Sequence, residues 1–394
     1  MDTITDLDST KLIDMIHELE LKLKNSTKSN LELKDQFNSY KEMVYNTFMS
    51  DNMKNLTTDD LNVNLNQASQ NDDKGNYYFE SYAGNEIHES MLKDTIRTEA
   101  YRDFMYHNKH YFKNKVVLDV GCGTGILSMF AAKSGARQVF AVDNSNIIIK
   151  AKEIIKDNGL DHIITCLQGK VEEIELPVPK VDIIISEWMG YFLLFEGMLD
   201  SVLVARDRWL KDDGILGPSC TKILLATVDD SEWYNDTVNF WKDVYGFNMT
   251  AMSGDVFRQG HVAVLKSDSI SSESVVIKDI QIKESTIKSL DFTEPFKLTI
   301  KRQGKVYGFC GWFDTFFEGP TIDPIIFSTS PMTKPTHWMQ TTFILQNPLE
   351  VNTNDIISGT FKCIKSNENH RELIVEISFQ VNNESIQNQS FIVC

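Results

Sequence analysis

Two segments of this 394-residue chain bring together residue types whose spacing suits chemistry on a bound cation. In the first, Val116-Val117-Leu118-Asp119-Val120 leads into Gly121, Gly123 and Gly125 and then into Ile126-Leu127. An apolar, β-branched run that turns through glycines into a helical pattern lets the backbone pass close to a nucleoside cofactor. The second segment, Ser186-Glu187-Trp188-Met189-Gly190-Tyr191-Phe192-Leu193-Leu194-Phe195-Glu196, sets two carboxylates among apolar and aromatic neighbours. Charges in such surroundings are costly unless they meet a partner. A guanidinium is the cation that fits best, because it keeps its charge and its fork of donors can engage both acids. The competing reading is a pair of ordinary surface glutamates on a loop and a helix.

The glycine spacing narrows the cofactor. Position 126 is Ile, so the dinucleotide pattern G-x-G-x-x-G fails at its third glycine; G-x-G-x-G with Asp119 just ahead is the S-adenosylmethionine form. Asp143 closes the next apolar run about 20 residues beyond the turn, where a carboxylate can accept both ribose hydroxyls. A turn or helix-start aspartate is the alternative there. A methyl donor beside a cation site raises one difficulty, since delocalisation withdraws the nitrogen lone pair that must attack. Carboxylates holding the other nitrogens would localise positive charge away from the attacking one.

Both segments need a scaffold that brings them to one edge. Residues 116–120, 138–142, 163–167 and 181–186 read as strands, with helical stretches at 127–134 and 147–157 between them. That alternation predicts a Rossmann-like α/β domain over 77–220, with ligands at the carboxyl ends of its parallel strands. After Pro218 the pattern becomes strand-like at 222–228, 296–301, 306–313, 341–345, 359–364 and 373–379, which predicts an antiparallel β-barrel or sandwich over 221–394. Within it, 231–245 reads as a helix carrying Trp233, Tyr234, Phe240, Trp241 and Tyr245, either core or an arm (about 231–255) that docks on another subunit. Ahead of these domains, Leu12, Ile16, Leu19, Leu23, Ser26, Asn30, Leu33, Phe37, Tyr40 and Val44 alternate steps of four and three. Residues 1–50 therefore read as a coiled coil or an amphipathic helix, and the Asn- and Asp-rich 51–76 as a flexible linker.

Composition removes several classes. Hydrophobic residues at 42% and charged residues at 24% fit a soluble globular protein. The net charge of −17 works against direct nucleic-acid binding, which relies on Lys and Arg displacing counterions, and favours basic partners. No apolar run suits a membrane span, and Met1-Asp2-Thr3-Ile4-Thr5-Asp6 lacks the regions of a signal peptide, so a cytoplasmic and also nuclear location is expected. The six cysteines (Cys122, Cys166, Cys220, Cys310, Cys363, Cys394) lack paired spacing, which argues for reduced thiols and against a metal site.

Residues 77–394 resemble the catalytic core of the type I protein arginine methyltransferases. Ser186-Glu187-Trp188-Met189-Gly190-Tyr191 with Glu196 is similar to that family's double-glutamate loop, and Thr336-His337-Trp338 to its Thr-His-Trp loop. Tyr78-Phe79-Glu80-Ser81-Tyr82 resembles the amino-terminal motif that folds over the cofactor. The resemblance implies S-adenosyl-L-methionine as methyl donor and arginine-containing, Arg/Gly-rich proteins as substrates. Monomethyl- and asymmetric dimethylarginine would be the products, and the arm would form a homodimer. It implies that His88 and Arg97 contact the donor, Arg97 through its carboxylate, and that Gly121 lies against the methionine part, beside Asp119, Gly123 and Gly125. Asp143 would hold the ribose and Glu172 the adenine amino group, while Met91 would leave space for asymmetric dimethylation. His337 would pair with Asp94 near the substrate and help to remove its proton; Tyr82 and Trp338 would border the substrate.

Two departures qualify the resemblance. Ala83-Gly84-Asn85-Glu86-Ile87 replaces an approach to the histidine that usually contains an aromatic residue. The core is most similar to the third type I member, yet no cysteine precedes Cys122, so that member's zinc finger has no counterpart here. Two other readings are a methyltransferase acting on small molecules and a catalytically idle scaffold acting through its coil. The glutamate pair and the second domain disfavour the first, and the intact set of Glu187, Glu196, Arg97 and Asp143 disfavours the second.

Overall fold

Strand β1 (Val116–Val120) is buried at every position, because a parallel sheet is covered by helices on both faces. It belongs to the computed structural model of the chain, which describes residues 82–319 and 321–394. The expected coil, the linker and motif residues Tyr78, Phe79, Glu80 and Ser81 lie outside the described residues. Helices α1 (Asn85–Lys93), α2 (Thr95–His107) and α3 (Lys109–Phe112) precede β1. Then come α4 (Ile126–Lys133), β2 (Gln138–Asp143), α5 (Ile147–Asp157), β3 (Ile164–Gln168), β4 (Val181–Ile185), α6 (Leu199–Trp209) and β5 (Leu210–Gly217). Helix α5 shows why such a segment is helical: Ile148, Ala151 and Ile155 fall on one buried face at steps of three and four.

The five strands are parallel in the order β3-β2-β1-β4-β5. Chain order therefore reverses between β1 and β4, and the loops that leave these two strands open onto one crevice. The first of those loops is the glycine turn and the second begins with Ser186 and Glu187, so the topology alone brings the two chemical segments together.

From β6 (Cys220–Val228) onward the pairing is antiparallel. Helix α7 (Ser231–Thr237), α8 (Ser253–Val256), β7 (Gly260–Ala263), β8 (Val275–Gln281), β9 (Phe292–Thr299), β10 (Gly304–Phe317), β11 (Ile325–Ser328), β12 (Gln340–Val351), β13 (Ile356–Lys365), β14 (Leu373–Val381) and β15 (Gln387–Val393) follow. They form two sheets, β7-β12-β10-β6-β8 with β11 beside β10, and β15-β14-β13-β9. Among the described residues, only isolated bridges, Ser272 to Ile300 and Gln259 to Ile392, join the two edges, so the ladder there does not close into a continuous barrel.

One hydrophobic core runs through both parts. Phe317 of β10 packs against Tyr101 (ring centroids 4.8 Å) and Phe104 (4.9 Å) of α2. Fully buried Asn108 accepts from Asp323 N (2.8 Å) and donates to Asp323 O (3.3 Å). The expected helix at 231–245 is corrected: it stops at Thr237, continues as a 3-10 turn over Asn239–Lys242, and leaves Tyr245 with φ +54°. Asn235, Asp236, Thr237, Val238 and Asn239 in succession explain the break, since β-branched and amide side chains are poor helix formers.

Candidate active site

The glycine turn starts from buried Asp119, whose Oδ2 accepts from Ser128 Oγ at 2.6 Å and whose Oδ1 has no hydrogen-bond partner. Burial pushes this carboxyl up to about 7. Gly121 and Gly123 have φ of +71° and +53°, a region that disfavours any other residue. A Cβ on Gly121 would collide with Met198 Cε, and one on Gly123 would lie 3.2 Å from His88 Cε1. Gly125, also left-handed, stands at the start of α4. Asp143 Oδ2 accepts from Gly123 N (2.9 Å), while Oδ1 accepts from Ser145 N (2.8 Å) and Oγ (2.7 Å). Asp143 thus ties the turn to β2, the structural task weighed against a ribose contact. Glu172 is exposed and accepts from Ser201 Oγ of α6 at 2.5 Å.

His88 lies on α1, buried, with Nε2 2.8 Å from Tyr82 O, and that burial lowers its pKa. The variant segment before it caps α1 with Gly84 and reaches α5 through Lys150 Nζ to Asn85 Oδ1 (2.6 Å). Arg97 rises from the first turn of α2, which places a guanidinium among Ala100, Tyr101 and Phe104 on the buried face. Its Nε and Nη2 both go to Glu187 Oε2, at 2.9 and 2.8 Å, with each side chain 7% exposed. Nη1 donates to Met91 O at 3.3 Å. Sequence reasoning assigned Arg97 and Glu187 to different ligands; the structure pairs them with each other.

Glu196 sits on strained backbone. Phe192, Leu193 and Glu196 have φ of +49°, +68° and +74°, unusual for residues with a side chain and characteristic of sites whose surroundings hold them in place. Tyr82 Oη donates to Glu196 Oε2 at 2.8 Å. The ring of Phe192 fills the space above Gly311 of β10, where a Cβ would collide with it.

The Thr-His-Trp loop arrives from the second part of the fold. Asp94 Oδ2 accepts from both His337 N (2.9 Å) and His337 Nδ1 (2.7 Å), and Asp94 Oδ1 caps α2 through Arg97 N (3.1 Å). Burial alone would raise the Asp94 carboxyl, but these hydrogen bonds outweigh it and hold the group below its ordinary value. Trp338 is 3% exposed, stacks on Phe327 (5.7 Å) and donates through Nε1 to Met189 O (2.8 Å), so here it braces the double-acid loop from below. Three residues that sequence reasoning passed over now join the site: Met198 on the turn, Gly311 beneath Phe192, and Arg371, which donates from Nη1 to Glu196 O at 2.7 Å. Met198 lies two places after Glu196 and was within reach of the sequence; the other two arrive from distant strands. No group of His, Cys, Asp and Glu among the described residues could hold a metal ion.

An open parallel sheet with this turn at its reversal point is the fold of S-adenosylmethionine-dependent methyltransferases. The residues fit that cofactor: left-handed Gly121 and Gly123 present backbone without side chains of their own, with only the flexible end of Met198 and the His88 ring against them, and Arg97 offers a buried guanidinium to a carboxylate. Residues 117–214 match a family described as "Methyltransferase domain", and residues 220–384 one described as "Arginine methyltransferase oligomerization subdomain". The chain is 48% identical over 306 residues to protein arginine N-methyltransferase 1 of Schizosaccharomyces pombe, covering 78% of this chain and 90% of that protein. It is 45% identical over 345 residues to the ribosomal protein arginine N-methyltransferase rmt3 of the same yeast, covering 86% of this chain and 63% of that longer protein. Among solved structures, the Trypanosoma brucei PRMT1 enzyme-prozyme heterotetrameric complex with AdoHcy superposes with a TM-score of 0.77 at 39% identity, over 80% of this chain and 100% of that one. The chain belongs to the protein arginine N-methyltransferase family.

Proposed function

We propose that this chain methylates arginine side chains in Arg/Gly-rich proteins to monomethyl- and asymmetric dimethylarginine, with Glu187 and Glu196 as the clamp on the acceptor guanidinium. One observation carries the reading: at the crevice between β1 and β4, the Glu187 carboxylate, 7% exposed, already holds a guanidinium, that of Arg97, while Glu196, further along the same loop, is held on left-handed backbone with Tyr82 Oη on its carboxylate. S-adenosylmethionine, when bound, supplies a methyl group on a positively charged sulfur. Gly121 and Gly123 would present bare backbone to it where the end of Met198 now lies, His88 covers the turn, and Arg97 offers its guanidinium to a carboxylate. Glu187 and Glu196 hold the acceptor nitrogens that do not react, concentrating positive charge there and leaving lone-pair density on the third. His337, fixed through Nδ1 by Asp94, presents Nε2 for the proton that the methylated nitrogen sheds.

The reading includes a homodimer formed through the arm. Tyr234 anchors the arm's first half on Tyr307 of the same chain (ring centroids 4.8 Å). Its second half points Phe240, Tyr245, Phe247, Met249 and Met252 outward, Tyr245 being 97% exposed. Apolar tips of this kind anchor interfaces. The test is incubation with labelled S-adenosylmethionine and an Arg/Gly-rich peptide, followed by fragment mass spectrometry. Symmetric dimethylarginine as the main product, or label on any other residue type, would refute the assignment.

A further inference from the structure

We infer that Arg371 is a positioning residue for the reaction, acting from the β13–β14 hairpin through the backbone of Glu196. The inference rests on the reading of Glu196 as half of the guanidinium clamp. Glu196 has φ +74°, a conformation that a residue with a side chain leaves unless its neighbours hold it. Arg371 holds it from both sides: Glu196 N donates to Arg371 O (2.8 Å), and Arg371 Nη1 donates to Glu196 O (2.7 Å). The peptide groups that flank the Glu196 Cα are thus fixed by one residue, and rotation about that Cα decides where the carboxylate points. Gly197, also left-handed at φ +69°, lies against the same hairpin, since a Cβ there would sit 3.3 Å from His370 O.

The hairpin is built to serve as an anchor. Ser366 N donates to Glu372 O (2.9 Å), Glu372 N to Asn369 O (2.9 Å), Asn369 Nδ2 to Glu372 Oε1 (2.9 Å) and Arg371 N to Asn369 Oδ1 (3.2 Å). Lys365, just before this turn, donates to both carboxylate oxygens of Asp200 at the start of α6, at 2.5 Å each. The segment that bears Glu196 is therefore gripped at Glu196 and again at Asp200 by one turn of the second half of the chain. Tyr82 Oη completes the arrangement by holding the carboxylate itself.

The experiment is a double-mutant cycle in the full chain with Arg371→Met, Glu196→Gln and the pair. It reads kcat and KM on an Arg/Gly-rich peptide, donor affinity by calorimetry, and Tm. Arg371→Met should lower kcat about tenfold to a hundredfold, the worth of one charge-assisted hydrogen bond, with donor affinity held within about twofold. In the Glu196→Gln background the same change should add less than about twofold, because its effect passes through Glu196. Arg371→Lys, which keeps one donor, should recover most of the lost kcat, and Arg371→Gln, which removes the charge but keeps the polar end, carries the cycle if the Met variant does not fold. Full additivity, or a joint fall of donor affinity and Tm with kcat, would make Arg371 a general packing residue and overturn the inference. Turnover close to that of the unaltered protein in Glu196→Gln alone would instead overturn the clamp reading.

Discussion

Arg97 and Glu187 share one buried contact, yet the proposed chemistry gives them ligands of opposite charge, so neutralising each should move donor affinity in opposite directions. Arg97→Gln removes the cation meant for the donor carboxylate. A hydrogen bond to a charged group contributes about 1.5 to 3 kcal/mol, so donor affinity should fall roughly 10- to 100-fold. The same change leaves Glu187 without its counterion at 7% exposure, which costs about 3 to 5 kcal/mol. Tm should therefore drop. Glu187→Gln keeps the hydrogen bonds at 2.9 and 2.8 Å in neutral form. Arg97 then loses a competitor worth about 1 kcal/mol, so donor affinity should be unchanged or rise by up to about fivefold while turnover collapses. Calorimetric titration with S-adenosylmethionine, beside turnover and melting curves, measures all of this. Equal weakening of donor binding by both substitutions would refute the division of labour within the pair.

Three further outcomes are expected. Gly311→Ala should force Phe192 out of place at about 1 to 3 kcal/mol and lower kcat with little effect on donor affinity, and Phe192→Leu in the same chain should restore both Tm and kcat; a silent Gly311→Ala would show that the ring has room to move. Asp119, raised to about 7 from 3.8, keeps its proton in the folded state across that window, so its contribution to stability falls as pH rises from about 4 to 7, by roughly 4 kcal/mol at most. Asp119→Asn should flatten that part of the Tm against pH curve, and identical slopes would count against a buried proton. Replacing 239–252 by a short Gly-Ser link should yield a monomer in sedimentation with poor activity, whereas an active dimer would move the interface elsewhere.

Much of the first half was legible because its signals are local. Runs at 138–142 and 181–186 became Gln138–Asp143 and Val181–Ile185, and the helix at 147–157 matches Ile147–Asp157, since buried parallel strands and one-sided helices each leave a periodic trace. Less was legible where the trace is broken. Strand β5 carries Asp212, Asp213 and Gly214 with exposed residues at its start, β15 opens Gln-Asn-Gln-Ser, and neither reads as a strand until a neighbour supplies the hydrogen bonds. The arm's amide and β-branched residues undid a helix that its aromatic content had suggested.

The sequence by itself determined the turn, the acids and their order: Asp119, Gly121, Gly123 and Gly125 encode a backbone conformation, and Glu187 and Glu196 encode charge, through side-chain types alone. It also carried the pairing of His337 with Asp94, but only by resemblance, since 243 residues separate them. Tertiary structure decided which charges meet. Arg97 reaches Glu187, Arg371 reaches the backbone of Glu196 and Gly311 makes room for Phe192 because strand order and two sheets fold distant segments onto one crevice. Partners so far apart in the chain are chosen by packing and desolvation of the whole fold, and neither leaves a pattern in the residues nearby.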